Sequence, residues 1–318
     1  MTHKQRFIDA LERRPIKGLV PHFELVFFLT MQAIGKVHPQ HRRFTQWNQM
    51  SEEEKRLLID DQADCYIEIA KKYNHSALFA DAPNNDFDEQ IRFYERLREK
   101  TNDEYFVMIY GDPTIGIPNG EDMLELSVLC QEEPNKIKLE AKRAVKEHIE
   151  FAEKLSKYEG LVDGFAMCSD YCFNTNPFFS PSMFSEFVTP YLFEIIKAYK
   201  ELGFYTIKHT DGNIMPILDQ IIECKPHALH SIDPQAGVSL REVKKLIGDK
   251  VCLIGNVNCG LLQTGSENDV IADVRRSLRD GMPGYGYIFS TSNCIYTGMP
   301  LERYELMNKI WQEEGIYK

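Results

Sequence analysis

The sequence predicts an α/β chain, and within that class a (β/α)8 TIM barrel with a short N-terminal helical extension. Three observations predict it. Eight short apolar runs recur along the chain, each followed by a stretch with helical signals. The runs are continuously apolar, as strands of a parallel sheet covered by helices are, and do not alternate. The alternation of runs and helices continues without a linker or low-complexity break, so residues 1–318 read as a single domain. The competing arrangement is an open doubly wound sheet, but no glycine-rich phosphate loop follows the first run.

Residues 3–14 have the spacing of a short amphipathic helix, stopped by Arg14-Pro15. The first strand covers 19–28 and carries His22 and Glu24 among apolar residues. A polar stretch at 35–47 contains a short basic patch, Arg42-Arg43. Ser51-Glu52-Glu53-Glu54 then caps a helix reaching residue 73. Strand 76–79 ends in Asp81-Ala82-Pro83, and a helix follows at 88–100. Strand 105–110 ends in Gly111-Asp112-Pro113, before helices at 121–131 and 134–158. Strand 161–167 ends in Cys168-Ser169-Asp170, and a loop with Asn174 and Asn176 leads to Ser180-Pro181. That pair is an N-cap with proline at the first helical position, and the helix is expected to reach 202 while tolerating Pro190. Strand 204–208 opens onto His209-Thr210-Asp211-Gly212-Asn213 and a helix at 214–223. Strand 228–232 ends in Asp233-Pro234, with a helix at 239–247. Strand 251–254 ends in Gly255-Asn256-Val257-Asn258-Cys259, with a helix at 268–280. Strand 287–290 ends in Ser292-Asn293-Cys294, and 301–313 is the last helix.

Composition narrows the function classes. With 43% hydrophobic residues the chain can build a large core. A net charge of −11 with scattered Lys and Arg argues against a nucleic-acid surface. No apolar run is long enough to span a bilayer, and the first residues lack the apolar core of a signal peptide. Eight cysteines spread through mostly apolar settings suit a reducing cytoplasm, not a disulfide framework. The expected location is therefore cytoplasmic, with no membrane and no nucleic-acid partner. The sequence leaves room for a homodimer.

In a barrel the turns after the strands converge on one mouth. Those turns deliver Glu24, Asp81, Asp112, Asp170, His209, Asp211, Asp233, Asn256, Cys259, Asn293 and Cys294. Asp and Asn are also ordinary turn-capping residues, and capping is the better reading for Asp112 and Asp233. His209 and Asp211 differ because they pair on one turn. Zinc takes imidazole nitrogen, thiolate sulfur and carboxylate oxygen. His209, Asp211 and Cys294 supply one of each, and Glu24 or Cys259 could complete the set. From spacing alone, metal binding and simple capping are evenly matched. No G-x-S-x-G, Walker loop or H-E-x-x-H is present.

At these turns the chain resembles the uroporphyrinogen decarboxylase superfamily, and within it the corrinoid (cobalamin)-dependent methyltransferase branch. The likeness is carried by several segments in order. Arg6-Phe7 through Val20-Pro21 is similar to the family's opening helix and strand, and Phe179-Ser180-Pro181 through Pro190-Tyr191 to its long central helix. His209-Thr210-Asp211-Gly212-Asn213 stands where the family has H-x-C-G-N, and Gly255-Asn256-Val257-Asn258 where it has G-N-x-D. Asn293-Cys294-Ile295 through Gly298-Met299-Pro300 resembles the turn before its last helix.

The resemblance implies a TIM barrel and a Zn2+ site built from His209, Asp211, Cys294 and Glu24. Porphyrinogen decarboxylation fits poorly. The stretch Leu29-Thr30-Met31-Gln32-Ala33-Ile34-Gly35-Lys36 after the first strand has no arginine to grip substrate carboxylates. The family's thiol-methylating members carry H-x-C, whereas this chain has Asp211. Exchanging sulfur for oxygen makes the ion harder and more Lewis-acidic, suited to a methyl ether oxygen. The implied activity is O-demethylation. A methyl group would pass from a methoxylated aromatic to the cobalt(I) of a corrinoid protein, since the chain lacks a D-x-H-x-x-G sequence of its own. Glu24, Asp170 and Asp211 are the catalytic candidates. Phe28, Asp81, Asn174, Phe179, Asn256 and Tyr296 are the substrate-binding candidates, with Phe27, Phe173 and Phe178 as further aromatics for the ring pocket. A thiol or amine substrate, or a different decarboxylation, are the alternatives.

Overall fold

The computed structural model describes residues 1–42 and 46–318, so Arg43 of the Arg42-Arg43 pair lies outside the described residues. Nine strands occur in the chain among the described residues: β1 Gly18–Leu19, β2 Ala77–Phe79, β3 Phe106–Tyr110, β4 Gly164–Cys168, β5 Tyr205–Thr210, β6 Ala228–Ser231, β7 Cys252–Ile254, β8 Tyr287–Ile288 and β9 Ile316–Tyr317. Strands β2 to β8 form one parallel sheet in sequential order. The curled sheet with helices outside is TIM-barrel-like.

The eighth stave differs from the expected strand at 19–28. Only Gly18–Leu19 forms a strand, and it pairs antiparallel with β9, outside the barrel sheet. The following residues nevertheless lie between β8 and β2. Phe23 N donates to Phe289 O at 3.1 Å, Phe289 N to Pro21 O at 2.9 Å, and Ser76 N to His22 O at 2.6 Å. Pro21 has no N–H to contribute to a ladder, so a proline at the start of this stave keeps it to isolated bridges.

Side chains alternate across the strands and so sort into two cores. Phe106, Met108, Ala166, Ile207, Ala228 and Ile254 fill the barrel interior. Val107, Ile109, Phe165 and Met167 point outward to the helices. The N-terminal helix His3–Leu11 belongs to the inner core. Its Phe7, Ala10 and Leu11 are fully buried, with the Phe7 ring 4.8 Å from Phe106 and 5.9 Å from Phe23. This helix, capped by Thr2, closes the N-terminal end of the barrel.

The helix expected from 180 to 202 is two helices, Pro181–Phe187 and Thr189–Glu201. Val188, at φ −121° and ψ −55°, breaks them. The residue before a helix start is non-helical, and Pro190 then occupies the first turn, where its missing N–H costs nothing. A short helix at Cys259–Thr264, capped by Asn258, was not expected from the sequence. Among the described residues no helix is long and apolar enough to cross a membrane.

Candidate active site

Strand β5 carries the centre of the site. Its period of two puts Ile207 and His209 on the inner face and Lys208 on the outer one. The parallel register sets His209 level with Cys168 on β4 and with His230 on β6. The chain then turns through Gly212, at φ +80°, where an added Cβ would lie 2.4 Å from Cys172 O. Only glycine fits there, and the turn holds Asp211 against the mouth.

Asp170, His209 and Asp211 converge. Their potential ligand atoms lie within 4.8 Å of one another. His209 Nε2 is 3.7 Å from Asp170 Oδ1 and 3.8 Å from Asp211 Oδ1. The Asp211 amide donates to Asp170 Oδ1 at 3.0 Å, which orients the second carboxylate. Ser231 Oγ donates to Asp211 Oδ1 at 2.7 Å, and Asn293 Nδ2 donates to Oδ2. Burial raises the Asp211 carboxyl above its usual range, His209 opposes this, and Asp170 adds to it.

These groups line a cleft of about 390 Å³ with Leu25, Val26, Gln40, Phe79, Asp81, Tyr110, Cys168, Asn293 and Cys294. Among the described residues no lysine or arginine lines it. Asp81 accepts from Gln40 Nε2 at 2.5 Å, and burial raises its carboxyl.

The remaining sequence candidates fall elsewhere. Cys294 lines the cleft, but its sulfur is not in the three-residue group, where Asp170 stands instead. Burial, with Cys259 and Asp211 nearby, pushes the Cys294 thiol up to about 12. Glu24 is withdrawn below the mouth. Its Oε2 accepts from Thr291 Oγ1 at 2.5 Å, Thr291 N at 3.2 Å and Ser290 Oγ at 3.4 Å, and Oε1 lies 3.1 Å from His22 Nε2. Burial pushes its carboxyl up to about 8 against those donors. A carboxylate so enclosed is a poor metal ligand without rearrangement.

None of the aromatics expected to form a ring pocket lines this cleft, where Phe79 and Tyr110 stand instead. Phe28 stacks on His41 at 4.8 Å. Phe27 and Phe179 are core residues, Phe179 beside Phe178. Phe173 and Asn174 are exposed on the loop after β4, and Tyr296 is half-buried outside the cleft. Asn256 is fully buried and structural: its Nδ2 donates to Ile232 O at 2.7 Å and its Oδ1 accepts from Arg276 at 2.9 Å.

Two groups were missed by sequence reasoning. Lys208 and Asp112 form a fully buried ion pair at 2.7 Å. Lys208 Nζ also donates to Ser169 O at 2.8 Å and sits 4.0 Å from the Tyr171 ring centre. Burial would raise the Asp112 carboxyl, but Lys208 and Thr114 hold it below its usual range. Asp112 caps Thr114, as expected of a turn residue, and also accepts from Ser169 N at 3.0 Å. The pair thus fixes the turn carrying Asp170. A lysine inside an apolar strand was the only signal for it.

The second missed group is His230, fully buried, with its Nδ1 2.7 Å from His209 Nδ1. Burial, then His209, lowers its pKa far below the ordinary value.

The uroporphyrinogen decarboxylase (URO-D) family model matches residues 127–313, more than half of the chain. The chain belongs to the uroporphyrinogen decarboxylase family. Among solved structures, this URO-D protein is similar to a methyltransferase from Methanosarcina mazei, with a TM-score of 0.72 and 16% identity over 98% of this chain and 99% of that one. At that identity the likeness speaks to the fold. An N-acetylneuraminate lyase from Fusobacterium nucleatum aligns at a TM-score of 0.39 with 10% identity, over 74% of this chain and 64% of the lyase, which is too low to carry an argument. No curated protein matches the sequence.

Proposed function

We propose that this URO-D protein is a zinc-dependent methyltransferase that moves a methyl group from a neutral methyl ether, a methoxylated aromatic, to the corrinoid of a partner protein. One observation carries the reading. His209 Nε2 stands 3.7 and 3.8 Å from the two carboxylate oxygens. That is too long for an N–H···O hydrogen bond, normally 2.7–3.2 Å. It is close to the roughly 3.4 Å that two donors keep when they share one tetrahedral zinc with bonds of about 2.1 Å. The likeness to the Methanosarcina methyltransferase points the same way.

A zinc ion held by Asp170, His209 and Asp211 would supply Lewis acidity toward a donor oxygen. A set of two carboxylates and one imidazole is harder than a thiolate set, which favours oxygen over sulfur donors. Phe79 and Tyr110 offer apolar walls to the rest of the donor. The absence of lysine and arginine among the described lining residues disfavours a carboxylated donor and a polycarboxylate decarboxylase substrate alike. A second reading, an amine donor, is favoured by the Asp81 carboxylate in the same cleft.

The test is metal analysis followed by methyl transfer to reduced cobalamin. About one zinc per chain is expected, lost in His209→Ala and Asp211→Ala. A methyl–cobalt spectrum should form with methoxybenzene-type ethers in preference to methoxybenzoates. A signal with methylamines alone would select the second reading, and a protein that binds no zinc would defeat both.

A further inference from the structure

Behind His209 runs a buried chain of hydrogen bonds that ends on a backbone carbonyl. His209 Nδ1 meets His230 Nδ1 at 2.7 Å. His230 Nε2 meets Ser290 Oγ at 3.3 Å, and Ser290 Oγ meets Glu24 Oε2 at 3.4 Å. Glu24 Oε1 meets His22 Nε2 at 3.1 Å, and His22 Nδ1 meets Tyr73 O at 3.3 Å. The side chains of His22, Glu24, His230 and Ser290 are all buried.

The carbonyl sets the direction of every link. Tyr73 O can only accept; Asn308 Nδ2, 3.3 Å from His22 Nδ1, donates to that same carbonyl at 3.0 Å, and with the Asn308 hydrogen spent there His22 Nδ1 carries a hydrogen of its own. A neutral imidazole bears one hydrogen, so His22 Nε2 accepts. Its partner Glu24 must then donate, as the protonated acid, leaving Oε2 to accept from Ser290 and Thr291. Ser290, having given its hydrogen to Glu24, accepts from His230 Nε2–H. His230 Nδ1 is then an acceptor, and its partner must be His209 Nδ1–H.

We propose that His230, Ser290 and Glu24 are positioning residues that lock His209 in its Nδ1–H tautomer, with the Nε2 lone pair aimed at Asp170 and Asp211. The inference rests on the zinc reading for its purpose, though the tautomer can be measured without metal. A ligating histidine whose distal nitrogen donates to a fixed acceptor is both oriented and made more basic. Here the acceptor is itself a histidine, and the polarity of the chain is anchored at the Tyr73 carbonyl, beyond His230, Ser290, Glu24 and His22. Glu24 acts through its protonated form, not as a ligand.

The experiment has two arms. In zinc-free protein labelled with 15N-histidine, long-range 1H–15N spectra should give His209, identified by its loss in His209→Gln, as the Nδ1–H tautomer. An Nε2–H tautomer in the wild-type protein would overturn the proposal. In the second arm zinc affinity is measured by chelator competition. Glu24→Gln presents an amide N–H to His22 and a carbonyl to Ser290, reproducing the protonated acid, and should bind zinc like wild type. Glu24→Leu and His230→Leu should bind about 10–100-fold more weakly. Equal loss in Glu24→Gln and Glu24→Leu would overturn the relay. Wild-type protein that binds no zinc but has the Nδ1–H tautomer would defeat the proposed function and leave the relay standing.

Discussion

The two ends of the barrel are built on the same strands and are filled in opposite ways. The N-terminal end is plugged by one apolar helix, with Phe7, Ala10 and Leu11 packed on Phe23 and Phe106. The C-terminal end holds His, Asp, Asn, Ser and Thr groups, nearly all accounted for by hydrogen bonds. Dispersion and burial hold the plug and tolerate adjustment. The polar end depends on direction, because a donor turned the wrong way leaves a buried group unpaired. The difference separates stability from site geometry, and each change below tests that separation.

The largest effect is expected at the plug. Phe7→Ala should lower unfolding free energy by about 3–5 kcal/mol in denaturant titrations. Zinc affinity of the folded protein should stay the same, and a parallel loss would join the two ends into one unit. At the polar end, Lys208→Met strands the buried Asp112 carboxylate and should cost a similar or slightly smaller 3–4 kcal/mol or so, about the value for breaking a buried pair. Unlike the plug variant, it should also weaken zinc, since Lys208 and Asp112 hold the turn of Asp170. Adding Asp112→Leu should restore much of the stability but not the zinc affinity, because Ser169 N loses its acceptor.

The smallest effect concerns His227 on the N-terminal rim. Its Nδ1 accepts from Thr206 N at 2.9 Å, and burial, then Lys200 and Arg13, lower its pKa to about 4. Below the unfolded value of 6.5 the unfolded chain takes up a proton that the folded one refuses. Stability is therefore lost as pH falls from 6.5 toward 4, by about 1.4 kcal/mol per pH unit at most. His227→Gln should flatten that slope between pH 7 and 5 in urea titrations, and an unchanged slope would show that His227 protonates freely.

Much of the fold was legible because strands buried on both faces are apolar throughout and helices announce their caps. Ser51 and Ser180 marked helix starts that the structure has. The break at Val188 was not legible, since a proline after a helical run fits either a kink or a new first turn. The site was legible in part. Its turns named His209, Asp211 and Asp170, but not which would share a centre with Cys294 so near. That depends on strand register, which no local pattern encodes. His230 was invisible for the same reason: it matters because it sits level with His209 across a ladder. Glu24 was placed in the mouth because it lies on the first strand-like run, 19–28, but that stave is shortened to bridges, and the side chain lies below the mouth beside Thr291.

The shortened first stave also bears on how the molecule is made. Trp311 Nε1 donates to Val20 O across 291 residues of chain, and Thr291 to Glu24 across 267. Contacts so distant in sequence repay their loop-closure entropy only after the intervening units are in place. During synthesis the segment around Glu24 emerges well before its partners Ser290 and Thr291, which follow β8. Until residues 290–291 have emerged, a nascent chain presents its two carboxylates and its histidine without the side chains proposed to aim them.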